Sequence, residues 1–437
     1  MQTITSTHPY STDDAPETEA PTFTGTTINS DDHSLQPSRR LHINRNLGLL
    51  WLGESISLFG DQFYLVALPW LVLQLTGSAL AVGTILATAG IPRALLMLVG
   101  GVFTDRMSPR AIMIFSNAAR IVITGILAFL VMTQSTQVWM LYILSFAFGV
   151  VDAFFHPAYM AIMPMLVDEE DLGMGNALLQ GSGLLVQGVG PGIAGVLINL
   201  SGIAISFIID TASFILATGT LLGMNPRQIK SVDVKKSGIL SEVREAITHI
   251  TGDELLRPLM LIITALNFLF IGPMMVGPSA LATQRFGEQG AVALGALLSA
   301  MGIGSVIGMA VGGVSKPKRL GIVTLSSFAL AAIGIIGSGF SYSLSLTTAL
   351  FALVGSSYGF SNLLVITWLQ KRISKELMGR IMSIVMLSST GLMPISSALA
   401  GIVAEHDLTL LFALNGTLLL ALVGGALLNR PIRRMQA

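Results

Sequence analysis

Gly100–Arg110, GGVFTDRMSPR, ends an apolar run on paired glycines and then brings Asp105, Arg106 and Arg110 close together. The runs on either side, 79–104 and 111–132, are each long enough to cross a hydrocarbon layer, which takes about 20 helical residues. A short charged turn between two such runs predicts a hairpin at a membrane surface. Gly100 and Gly101 remove side chains where the first run leaves the membrane, so neighbouring helices can approach closely. Ser108 and Pro109 suit the N-cap and first position of the next helix. At that interface partial desolvation strengthens pairing among Asp105, Arg106 and Arg110.

The whole chain has the composition this hairpin needs. Of 437 residues, 52% are hydrophobic and only 11% charged, and mean hydropathy is +0.74, more apolar surface than a soluble core can bury. Twelve runs read as spans: 47–75, 79–104, 111–132, 138–166, 176–199, 203–224, 258–284, 289–314, 320–340, 345–369, 380–404 and 408–428. Residues 1–45 are Ser/Thr/Pro-rich without an apolar run and read as a disordered cytoplasmic tail. Of the 24 Lys and Arg, all but Arg93, Arg120 and Arg285 fall in segments that share one side when both termini are inside. Basic loops stay cytoplasmic, so that side is the cytoplasm and the membrane is the plasma (inner) membrane.

The two sets of six spans repeat. Gly83, Gly90, Ile91, Gly100 and Gly101 recur as Gly295, Gly302, Ile303, Gly312 and Gly313, each 212 residues on. LGMGNA at Leu172 corresponds loosely to LMGRIM at Leu377, and AG at Ala194 to AG at Ala400, with offsets of 205 and 206. This predicts an all-α membrane protein of two six-helix bundles, 46–224 and 258–429, with 430–437 as a cytoplasmic tail. Between them a connector, 225–257, holds Arg227, Lys230, Lys235, Lys236, Arg244 and Arg257. Ile239, Leu240, Val243, Ala246, Ile247 and Ile250 recur there at helical spacing opposite Glu242, Arg244 and Glu245, which predicts an interfacial amphipathic helix.

Six helices, a cytoplasmic connector and six more make a transporter plan, with cargo between halves that rock. Within it, Gly101, Asp105, Arg106 and Arg110 resemble the signature between helices 2 and 3 of the major facilitator superfamily. The resemblance implies that Asp105 latches onto the other half and breaks away during rocking. GGVSKPKR, Gly312–Arg319, lacks the acid, so such a latch is one-sided. GDQFYLVALPWLVLQLTGSALAVG from Gly60, IPR at Ile91 and DAFFHPA at Asp152 resemble the branch that contains macrolide-efflux proteins and the enterobactin exporter. That resemblance implies proton-driven export of a bulky, partly hydrophobic molecule. GPGIAG, with Gly190, Pro191 and Gly195, is similar to the antiporter signature at its GP and AG positions. The same glycines also serve plain helix packing.

Charges inside a bilayer are costly, so each needs a reason. Glu54, Asp61, Arg93, Arg120, Asp152, His156 and Asp210 all fall within first-half spans, whereas second-half spans offer neutral groups such as Asn267, Asn362 and Asn415. Depth counting sets Asp61 and Arg93 near midplane as an ion pair. Glu54 shares a helical face with Asp61 and either pairs with Arg120 or snorkels. Asp152 and His156, one turn apart with Tyr159 beyond, either relay a proton or satisfy each other. Asp210 reads as bonding locally. Four carboxylates face two arginines, and the excess can hold protons or meet a cation. Phe63, Tyr64, Phe154, Phe155 and Tyr159 either line the cavity or pack.

Zero net charge gives no reason to expect nucleic acid. The sequence has no GxxxxGK[ST] or HExxH, and its histidines are scattered, so neither an enzyme nor a cofactor or metal site is expected. GIGSVIG around Ser305 is helix packing. The reading is a monomeric antiporter for multidrug-type efflux, exporting an amphipathic, cationic small molecule of drug, macrolide or siderophore class in exchange for protons. Uptake of a nutrient or lysolipid by the same fold, and a non-transporting receptor or assembly protein, remain the alternatives.

Overall fold

A computed structural model describes residues 44–168, 171–225, 248, 250–252, 255–315, 317–373, 381, 385, 391–433 and 435. They lie within one unit, Ile43–Ala437. Among them the first half holds α1 Arg45–Thr76, α2 Ala79–Arg106, α3 Pro109–Met132, α4 Val138–Ile162, α5 Leu172–Ser201 and α6 Ala204–Gly223. The second holds α7 Leu256–Phe286, α8 Gly290–Val314, α9 Leu320–Phe340, α10 Leu344–Arg372, α11 Met393–His406, α12 Leu408–Leu428 and the short α13 Arg430–Arg433. Eleven are long and apolar enough to cross a membrane, and α11, with 14 described residues, stands at the remaining expected span. The tail to residue 43, the connector's amphipathic stretch at 239–247 and residues 377–380 of LMGRIM lie outside the described residues.

Local chemistry sets the helix ends. Asn44 accepts from the Leu47 N–H at 2.8 Å and opens α1. Gly77 closes it at φ +66°, a left-handed conformation that disfavours a side chain. The next residue, Ser78, already caps α2 by accepting from the Ala81 N–H at 3.1 Å. One glycine and one serine therefore reverse the chain.

Packing repeats between halves as the glycine offsets predict. α1 packs on α5 and α6, α2 on α4, and α3 on α4 and α6; adding six to each number gives the second half's pairings. Between halves, α2 meets α11 and α5 meets α8. A methyl on Gly83 would lie 2.4 Å from the Ser397 oxygen and 3.2 Å from Gly401 Cα. A methyl on Gly295 would lie 2.4 Å from the Pro191 oxygen and 3.0 Å from Gly195 Cα. The partners differ by the same two offsets, 212 and 206. The two seams are thus equivalent crossings, each made possible by backbone without side chains.

Proline supplies a second device, because it leaves the carbonyl four residues earlier without its helical donor. The Ala153 oxygen freed by Pro157 faces Gly100, where a methyl would lie 2.3 Å away. The Gln187 oxygen freed by Pro191 faces Gly302 across the seam, where a methyl would lie 2.6 Å away. The Leu269 oxygen freed by Pro273 accepts from Asn415 Nδ2 at 2.6 Å, which satisfies the donor side of that buried amide, while its Oδ1 has no partner among the described residues.

Among the described residues the halves touch at one end. Gly83, Gly90, Gly192, Gly195, Gly295 and Gly302 all meet the opposite half in the part of the bundle that carries Gly77, Gly202 and Asp407. Toward the other end of the same helices, Gly181 meets nothing within 4 Å, and the nearest neighbours of Gly308 and Gly312 are on α10. At the touching end Ser78 Oγ donates to Glu405 Oε2 at 2.9 Å, and the Leu80 N–H donates to the same oxygen at 3.2 Å. This clasp ties α11 to the start of α2. Outward-facing apolar residues such as Leu95, Phe115 and Leu200 remain exposed, as a lipid-facing surface requires.

Candidate functional site

The first half gathers its intramembrane charges around Asp152. Arg93 Nη2 from α2 lies 2.5 Å from Asp152 Oδ2, and Arg120 Nη2 from α3 donates to Asp152 Oδ1. Arg120 is 4% exposed, and its guanidinium carbon sits 4.0 Å from the Phe155 ring centroid, with Phe214 and Phe148 at 5.3 and 5.6 Å. Three ring faces replace water around a cation that has one carboxylate partner. Asp61 on α1 is within Coulombic reach of both arginines and of Asp152. Glu54, two turns earlier, is within reach of Arg120 and Asp61, and Asp210 on α6 within reach of Asp61 and Arg120. Among the described residues none of these three carboxylates makes a hydrogen bond or an ion pair, so Asp152 alone holds the arginines.

At the far end of α2 the hairpin is a helix terminus. Asp105 and Arg106 belong to the last turn of α2, Ser108 precedes Pro109 at the first position of α3, and Ser108 makes no side-chain cap bond. Arg110 Nε donates to the Leu221 carbonyl at 2.7 Å and Nη2 to the Leu222 carbonyl at 2.8 Å. A cation on the last carbonyls of α6 is favoured by the helix dipole, so Arg110 binds α3 to α6 within one half.

The second half holds a cleft of about 130 Å³, partly open to solvent, between α7, α9 and α10. Leu266, Phe270 and Phe328 give it apolar walls, and Asn267, Thr324, Tyr358 and Asn362 bring polar groups. Phe270 and Tyr358 stack face to face, with centroids 4.5 Å apart and an interplanar angle of 4°. The lining comes from the starts of α7 and α9 and the end of α10, so the cleft lies toward the end away from the clasp.

A sequence model of the Major Facilitator Superfamily matches residues 50–398. The chain belongs to the Major Facilitator Superfamily. The uncharacterized MFS-type transporter YvqJ of Bacillus subtilis (strain 168) is 25% identical over 138 residues, 32% of this chain and 33% of that protein. Macrolide efflux protein A of Streptococcus pyogenes is 28% identical over 123 residues, 28% of this chain and 30% of that protein. Each alignment therefore covers about a third of the relative's length. The crystal structure of the nucleoside transporter NupG superposes with a TM-score of 0.68 at 12% identity, covering 88% of this chain and 98% of that one. An inward-facing, unoccupied bacterial homolog of the human lysosomal transporter Spinster gives 0.61 at 14%, covering 89% and 95%. Identities this low speak to the fold alone.

For this major facilitator member, several expected placements need correction. Arg93 pairs with Asp152, not Asp61, because α2 packs on α4 along its length while its contact with α1 is slight. Glu54 is 7% exposed, so it does not snorkel. His156 makes no hydrogen bond to Asp152, whose two oxygens face the arginines, and its Nδ1 is buried without a partner among the described residues. Asp210 does not bond locally: its carboxylate is fully buried, without a hydrogen bond among the described residues, beside Gly60 of α1. Gly101 faces open space, and Gly100 is the glycine of close approach. Arg110 bonds to the end of α6, Arg106 is exposed, and the Asp105 side chain lies outside the described part. Gly190 packs on Gln62 within the first half, while Pro191 and Gly195 form the seam with α8. Of the aromatics, Phe155 covers Arg120, Tyr64 stacks on Phe148 at 4.9 Å, Phe154 meets Phe103, and Phe63 is fully buried. Sequence reading also missed Glu405, whose only signal was an acid, followed two residues on by Asp407, after an apolar run.

Proposed function

We propose that this chain is a secondary active transporter that exports an amphipathic small molecule carrying a cationic group, by alternating access and in exchange for protons. The observation that carries this is the uneven pairing around Arg120. Asp152 already holds both arginines, which leaves Glu54 and Asp61 on α1 as acids able to take up protons or meet a cation. One site cannot do both at once, and that competition is what exchange requires. Asp152, Arg93 and Arg120 then act as a fixed scaffold that sets the field at Asp61. The similarity to macrolide efflux protein A over about a third of its length supports efflux over uptake.

With both termini in the cytoplasm of a plasma (inner) membrane, as the Lys and Arg distribution indicates, the clasped end faces outward and the other end opens inward. Cargo enters from inside. Protonated acids release it outside after the clasp opens and the Asp105 end closes. One chain contains both halves, so a monomer suffices. The test is transport in reconstituted vesicles under an imposed pH difference, using a panel of lipophilic amines. Accumulation should require protons to run opposite to the cargo, and Asp61→Asn should abolish that dependence while leaving the protein folded. Undiminished proton dependence in both Asp61→Asn and Glu54→Gln would remove α1 from the coupling site.

A further inference from the structure

The charged cluster lies in the first half, yet the cleft between α7, α9 and α10 lies in the second, and among the described residues no charged side chain lines it. Four polar groups in its wall lack hydrogen-bond partners among the described residues: the Asn267 and Asn362 amides and the Thr324 and Tyr358 hydroxyls. Thr324 is 6% exposed and its hydroxyl is buried unpaired, an arrangement that is costly in a packed interior unless something hydrogen-bonds to it. The stacked Phe270 and Tyr358 rings give a flat apolar face beside those groups.

Ile432 and Met435 close this cleft. The Gly321 N–H donates to the Met435 carbonyl at 3.4 Å, and a methyl on Gly321 would lie 1.9 Å from the Ile432 oxygen. Only glycine lets the chain end approach α9 so closely. Ile432 and Met435 are buried and line the cleft, so apolar side chains roof it.

We infer that this cleft is a binding site for an uncharged, ring-bearing lipophilic molecule with hydrogen-bonding groups along one edge, separate from the charged cluster of the first half. Two amides and two hydroxyls both donate and accept, so they suit carbonyl and hydroxyl groups, and the flat face suits a ring. A fixed charge would enter without a counter-charge, against its desolvation cost. The site goes beyond the export reading and stands whether or not protons drive transport.

The test is photolabelling of the full chain in lipid nanodiscs with benzophenone, an uncharged two-ring ketone, against its fixed-charge relative (4-benzoylbenzyl)trimethylammonium. Adducts are mapped by mass spectrometry. Benzophenone should label cleft residues of α7, α9 and α10 saturably and at least tenfold more than the charged compound does. Leu325→Trp, which fills the cleft, should remove those adducts while label on lipid-facing peptides persists. Thr324→Val and Asn362→Leu, which keep the shape, should each lower saturable labelling severalfold and carry the test if the tryptophan variant does not fold. Label confined to lipid-facing peptides, equal cleft labelling by both compounds, or cleft labelling untouched by all three substitutions would overturn the assignment.

Discussion

Glu405→Ala should open the touching end of the molecule. The Glu405 carboxylate accepts from Ser78 Oγ and from the Leu80 N–H, across 327 and 325 residues of sequence, and both bonds exist only while the halves meet there. A carboxylate at a helix N-terminus contributes about 0.3–1 kcal/mol at an exposed site. A hydrogen bond to a hydroxyl adds a net of about 0.5–1.5 kcal/mol. Glu405 is exposed, so the lower parts of both ranges apply, and the clasp is worth about 1–1.5 kcal/mol, a factor of about 5–13 in the closed-to-open ratio. Glu405→Gln keeps an acceptor and loses only the charge, so it should shift the ratio by about 2–5-fold. The chain contains no cysteine, so Leu200→Cys and Tyr342→Cys, exposed at this end on opposite halves, can carry spin labels without background. Pulsed electron-electron distance distributions in nanodiscs then report the two populations directly. Ser78→Ala combined with Glu405→Ala should show less than the sum of the single effects, because the two share one bond. An unchanged distribution in Glu405→Ala would refute the clasp.

Gly195→Val and Gly83→Val should each destabilise by about 1–3 kcal/mol through overpacking of equivalent seams, and Gly101→Ala, which points into open space, should stay within about 0.5 kcal/mol; thermal unfolding in detergent compares them. Asp152→Ala strands two arginines and should cost about 3–5 kcal/mol, far more than Asp61→Asn, which leaves every ion pair in place; the same unfolding measurement ranks the two. Arg110→Met removes both donors from the Leu221 and Leu222 carbonyls, and hydrogen exchange at the end of α6 should quicken severalfold while α3 itself stays protected.

By itself the sequence determined that the chain is helical and membrane-embedded, because runs of this length and apolarity have no other way to satisfy their backbone in lipid. It also contained the repeat, since glycine offsets of 212 and 206 survive wherever two backbones must touch, and Gly83 with Gly401 and Gly195 with Gly295 are those places. It flagged the charged residues of the first half, because hydrocarbon tolerates none without a reason. Depth along a helix can be counted from sequence, but which way a side chain turns cannot. Depth counting set Asp61 against Arg93, and only the packing of α2 on α4 gave Arg93 to Asp152. The burial of Asp210 beside Gly60, the Glu405 clasp and the cleft roofed by Ile432 and Met435 each join residues more than 100 positions apart. Such contacts follow from how helices lean on one another, and no periodicity within a single helix encodes that.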